Sequence, residues 1–96
     1  MAVVFKTAFG AYTRGVRIGG GGSGEVYEAT DDTGQLHAVK ILDPRNVTRE
    51  RLKRFKNEIL FGMKNTHPNI ITVTDYGVYE DGKKKTPFYV MSRYAS

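Results

Sequence analysis

The segment that most constrains this chain is Gly19-Gly20-Gly21-Gly22-Ser23-Gly24. So many missing Cβ atoms leave almost no side chain to pack, so the backbone there is free to turn sharply. Alone, the run has the composition of a flexible linker. Its flanks argue for a hairpin instead. Tyr12-Thr13-Arg14-Gly15-Val16-Arg17-Ile18 alternates apolar and polar residues on one side, and Glu25-Val26-Tyr27-Glu28-Ala29-Thr30 alternates on the other. Period-two alternation is the mark of a half-buried strand. Asp31-Asp32-Thr33-Gly34 then supplies a second turn, and Gln35 to Leu42 reads as a third strand.

Pro44 ends that strand, and Thr48 is placed to cap a helix from about Arg49 to Lys64, with Glu50 near its positive end. Leu52, Phe55, Ile59 and Met63 fall on one helical stripe. Glu58 lies at the edge of the stripe beside Phe55, while Arg49, Lys53 and Lys56 face away. Beyond Thr66-His67-Pro68, strands are expected from Ile70 to about Tyr79 and from Pro87 to about Ser92, joined by a basic turn over Asp81-Gly82-Lys83-Lys84-Lys85. The expected class is α+β, with five strands and one helix.

Length and composition fit that plan. The 96 residues, 40% hydrophobic and 26% charged, can form one small core and not two independent domains. Cysteine is absent and there are two histidines, which removes disulfides, a thiolate nucleophile and the usual structural zinc sites. No apolar run approaches the roughly 20 residues needed to span a bilayer. The start, Met1-Ala2-Val3-Val4-Phe5-Lys6, lacks the features of a signal peptide. The expectation is a soluble, cytoplasmic protein with no membrane partner, in which Asn46-Val47-Thr48 matches a glycosylation acceptor by coincidence.

Three elements carry chemistry. Gly19, Gly21, Gly24 and Val26 meet the register G-x-G-x-x-G-x-V, in which bare backbone can approach a polyphosphate and present N–H groups to it. Within a glycine run this register is weak evidence by itself. A dinucleotide-binding turn leads from strand into helix, whereas this one leads into a strand, and Ser23-Gly24-Glu25 does not supply the Gly-Lys-Ser/Thr of a Walker loop. Lys40, in Ala38-Val39-Lys40, reads as a solvent-facing strand residue or as the cation of a Val-Ala-Ile-Lys signature. Glu58 reads as a helical partner of Arg54, and its place at the edge of the stripe lets its charge meet a partner across the packing interface. The ordered set, followed by His67-Pro68-Asn69-Ile70, is more specific than any member.

From Tyr12 to Ser96 the chain resembles the N-terminal lobe of a eukaryotic-like protein kinase. The resemblance implies a five-stranded antiparallel sheet with one αC-type helix, comprising an extension over 1–11, the lobe over 12–92 and the start of a hinge over 93–96, with the C-terminal lobe absent. It implies ATP beneath the glycine loop, with Ile18, Gly19, Gly21, Gly22, Ser23 and Gly24 along the nucleotide. Lys40 would hold the phosphates and pair with Glu58, the two forming the catalytic set in this chain. Val26 and Ala38 would pack on the base, Met91 would be the gatekeeper, and the Ser92 carbonyl and Tyr94 N–H would bond the adenine edge.

Two residues depart from the pattern. Gly62 stands one turn after Glu58, where a bulky apolar residue is usual, leaving a loose helix or a substitute in Phe61 or Met63. Ser92 replaces a common acidic residue. A larger departure is that the chain has no His-Arg-Asp and no Asp-Phe-Gly, so Mg²⁺ would be held mainly by residues outside it. Asp75-Tyr76-Gly77 imitates the second motif but precedes the expected hinge, which assigns it to a strand.

The expected function is the ATP-binding lobe of a protein kinase acting on protein Ser/Thr, less readily on Tyr, with protein substrate bound through the missing lobe and the fragment inactive alone. The alternative is a standalone or pseudokinase-like interaction module. An isolated lobe would expose an apolar floor and self-associate. The formal charge is +5, from 15 Lys+Arg against 10 Asp+Glu, with basic residues at 49, 51, 53, 54 and 56 and at 83–85. These are read as solvated faces rather than a nucleic-acid surface, the helical cluster being suited to a phosphorylated loop.

Overall fold

The computed structural model describes residues 3–21, 24–43, 45, 47–64, 72–82 and 84–92. Six strands form one antiparallel sheet: β1 (Val4–Lys6), β2 (Ala11–Gly21), β3 (Gly24–Asp31), β4 (Leu36–Leu42), β5 (Val73–Asp81) and β6 (Lys84–Ser92). Among the described residues a single helix, α1 (Arg49–Lys64), lies between β4 and β5 in the chain. The spatial order is β1-β2-β3-β4-β6-β5. The expected five strands are thus six. The extra one is Val4–Lys6, too short to show alternation, which gains its place by pairing Phe5 with Tyr12 and burying the Phe5 ring.

The glycine hairpin forms as expected, with Gly21 opposite Gly24 and bulges in β2 between Arg14 and Gly19. At the β3–β4 turn, Gly34 has φ 88°. The Asp31 carboxylate accepts from the Thr33 N–H at 2.9 Å, the Thr33 hydroxyl at 2.7 Å and the Gln35 N–H at 3.0 Å. Its other oxygen lies 2.7 Å from His37 Nε2. Those bonds, led by Thr33 and His37, hold the Asp31 carboxyl well below its usual range.

Thr48 caps α1, its hydroxyl accepting from the Arg51 N–H at 3.1 Å. The buried stripe is Phe55, Ile59 and Gly62. It ends on Gly62 rather than Met63, because a Cβ at position 62 would overlap the Val73 side chain, so the helix settles its bare face on β5. Phe61 and Met63 remain exposed.

The last hairpin is tighter than expected. It turns about Gly82 at φ 64°, and Lys84 and Lys85 join β6 opposite Asp81 and Glu80. Opposite charges across an antiparallel pair offset the poor strand propensity of lysine.

The sheet buries apolar residues on both faces. On the helix side, Phe55, Ile59, Leu42, Val73, Tyr89 and Met91 pack together, with the Phe55 and Tyr89 rings 5.1 Å apart. On the other side, Phe5 sits among Ala29, Val39, Phe88 and Val90, meeting Phe88 at 5.1 Å and Tyr79 at 5.5 Å. A bulge between Val73 and Asp75 divides β5 between these faces. Val73 is opposite Met91 on the helix side, while Asp75 is opposite Val90 on the other. Asp75 is buried and accepts from the Thr7 hydroxyl at 2.6 Å and the Tyr12 hydroxyl at 2.9 Å. The Asp-Tyr-Gly sequence is therefore a strand segment, and its acid ties β5 to the N-terminal end of the sheet.

Candidate nucleotide site

Cross-strand register determines which side chains share a face. Gly19 lies opposite Val26, Val26 opposite Lys40, and Lys40 opposite Tyr89, forming a row across β2, β3, β4 and β6. A neighbouring row places Ala38 opposite Met91. This is the face that α1 covers in part. Across it Lys40 Nζ donates to Glu58 Oε1 at 2.9 Å, with the two side chains 18% and 33% exposed. A pair so placed is shielded enough for its charges to orient each other, yet the lysine retains access to solvent.

The glycines differ in what they do. A Cβ at Gly24 would strike the Ile41 carbonyl, so this residue is required by the close approach of β3 to β4. At Gly19 a Cβ would meet nothing closer than Val26 at 4.0 Å. Its bareness serves no packing in the lobe and leaves the surface over Val26 open. Across the hairpin from that surface, the Arg17 guanidinium donates to Glu25, spanning Gly20. Arg14 stacks 4.9 Å over Tyr27 nearby.

The structure brings together Gly19, Gly21, Gly24, Val26, Ala38, Lys40, Glu58 and Met91 on or beside one face. Ile18 is 43% exposed at the irregular part of β2, and Ser92 is the last residue of β6. Gly22, Ser23 and Tyr94 lie outside the described residues, as do Pro44, the 67–70 segment and the hinge start at 93–96. One contributor escapes sequence reading. The hydroxyl of Tyr89 donates to Glu58 Oε1 at 3.3 Å, and only the strand register that sets Tyr89 beside Lys40 could have pointed to it.

This arrangement of glycine hairpin, strand lysine and helical glutamate agrees with an independent match. Residues 12–96 match the protein kinase domain. The chain belongs to the protein kinase family. It corresponds to the N-terminal lobe of the domain, with one helix on an antiparallel sheet.

Among relatives of this kinase lobe, calcium-dependent protein kinase 5 of Plasmodium berghei is 41% identical over 69 residues, covering 71% of this chain and 12% of that protein. A receptor-like serine/threonine-protein kinase of Arabidopsis thaliana is 31% identical over 80 residues, covering 83% and 12%. A probable serine/threonine-protein kinase of Corynebacterium efficiens is 36% identical over 84 residues, covering 85% and 13%. The chain thus spans about an eighth of the length of these relatives.

Protein kinases use ATP and a divalent metal. Among the described residues no group of three His, Asp or Glu side chains is placed to hold a metal ion. No helix among the described residues is long and apolar enough to cross a membrane.

Proposed function

We propose that this lobe binds ATP for phosphoryl transfer from nucleotide to a protein hydroxyl, serine or threonine in preference to tyrosine, by the protein of which it forms part. The observation that carries the reading is the 2.9 Å contact between Lys40 and Glu58 beside the Gly19–Val26–Lys40 row. The hydroxyl preference rests on the serine/threonine kinase names of two relatives.

In this reading the hairpin backbone from Gly19 to Gly24 lies over the phosphates. Lys40 supplies positive charge to their oxygens, held in place by Glu58. Val26, Ala38 and Met91 form an apolar surface for the base, and the Ser92 carbonyl and Tyr94 N–H take its polar edge. The adenine carries no charge, so small apolar side chains suffice for it. The phosphates need a cation that does not swing away. The acceptor-orienting and metal-holding groups are not among these 96 residues, so the chain alone is expected to transfer nothing. The lack of cysteine supports a reducing compartment, and the cytoplasm is the working location.

The test is Lys40→Met in the full-length protein, which removes the ammonium at similar volume. Loss of one such electrostatic contact lowers turnover by about 10²–10³-fold, with the melting temperature nearly unchanged. Unchanged turnover would remove Lys40 from the site and favour a lobe that serves as a protein-interaction module.

A further inference from the structure

We infer that Tyr89 is a positioning residue of the nucleotide site, its hydroxyl holding the Glu58 carboxylate in the orientation that meets Lys40. This rests on the nucleotide-site reading above and deepens it. The geometry has three parts. Lys40 and Tyr89 are directly opposed on neighbouring strands, so their side chains leave the sheet side by side. Both donate to the same oxygen, Glu58 Oε1, Lys40 at 2.9 Å and Tyr89 at 3.3 Å. The Tyr89 ring packs at 5.1 Å and 46° against Phe55, one helical turn before Glu58 on the face of α1 that meets the sheet.

These contacts give the two donors different roles. Lysine is a mobile cation on a flexible stem, able to leave Glu58 for a phosphate. Tyr89 is 6% exposed, and its ring position is determined by packing. Burial, with the Glu58 charge second, pushes the Tyr89 phenol far above its ordinary value, so it stays a protonated donor at any working pH. A rigid neutral donor beside a mobile charged one keeps the carboxylate aimed when the lysine shifts toward nucleotide. It also anchors α1 to β6 at the level of the site.

The experiment is Tyr89→Phe in the full-length protein, which removes one oxygen and keeps the ring, read with Glu58→Gln and the double variant. Tyr89→Phe should lower kcat about three- to tenfold, the worth of one hydrogen bond, with a smaller change in KM for ATP and in melting temperature. If Tyr89 acts through Glu58, adding Tyr89→Phe to Glu58→Gln should cost little more. Full turnover in Tyr89→Phe while Lys40→Met is inactive would overturn the inference and leave the nucleotide site intact. An undiminished extra loss in the Glu58→Gln background would also overturn it, showing that Tyr89 acts by packing. Full turnover in Lys40→Met would remove the underlying reading and this inference together.

Discussion

At Gly62 two preferences of the helix oppose each other. A glycine inside a helix costs about 1 kcal/mol relative to alanine. Yet a Cβ at this position would overlap Val73, a stiff β-branched side chain held on β5. Overpacking of this kind costs about 1–3 kcal/mol. The overlap outweighs the propensity, so Gly62→Ala should lower the melting temperature, whereas Gly10→Ala, with nothing within 4 Å of the new Cβ, should leave it nearly unchanged. Calorimetry on both variants measures this, and a stabilised Gly62→Ala would show that α1 can withdraw from β5 freely. Sequence alone presents Gly62 as a defect, because the pattern of apolar spacing scores a missing side chain as a missing contact. The contact of Lys40 with Glu58 was legible only through the resemblance to the kinase motifs, since by spacing alone one reads as a solvent-facing strand lysine and the other as a helical partner of Arg54. Tyr89 was not, since a tyrosine in a strand has an adequate explanation in packing, and only its register beside Lys40 reveals the second role of its hydroxyl.

Among the elements, β5 links two regions that alternation alone would not connect. Strict period two would place Val73 and Asp75 on the same face, but the bulge turns Val73 toward α1 and Asp75 toward Thr7 and Tyr12. A buried carboxylate with two hydroxyl donors is costly to break. Asp75→Ala leaves those donors without their acceptor and should destabilise the protein by about 1–3 kcal/mol in denaturant titration; a loss near zero would mean that water replaces the carboxylate. The same contact has an alkaline signature. Burial first, then the Asp75 bond and charge, push Tyr12 up to about 12 from its ordinary 10.0. A group whose folded value is raised contributes stability that is fully present below the unfolded value and fades as pH rises through the folded one. Stability should therefore fall between pH 10 and about 12, and Tyr12→Phe should reduce that slope. The helix was well placed from sequence because a cap, a stripe and dipole-matched charges agreed. The strand ends near Gly82 were not, because lysines read as turn residues until their acidic partners across the ladder are known. The three-residue β1 falls below the length at which alternation can be seen.

At the scale of the molecule, one helix cannot cover one face of a six-stranded sheet. Between α1 and β5 a groove of about 380 Å³ is lined by Ile59, Leu60, Met63, Tyr76, Val78 and Pro87, several of them about half exposed. The 96-residue chain by itself is expected to self-associate through such apolar surface, seen as a concentration-dependent sedimentation coefficient. A monomer throughout the accessible concentration range would count against this. The family and the order of its motifs could be read from the sequence. The closing of the two ends of the sheet through Asp75 could not, because it depends on residues 68 and 63 positions apart.

The short strand β1 bears on where this unit begins. The family match starts at residue 12, yet Phe5 is 1% exposed against Phe88 and Tyr79, seven residues upstream of that boundary. A chain trimmed to the matched segment would open the inner face of the sheet to water and strip Asp75 of one of its two hydroxyl donors. The matched segment and the packed core are therefore different lengths of the same polypeptide, and an expression boundary drawn from sequence similarity would cut into the hydrophobic core.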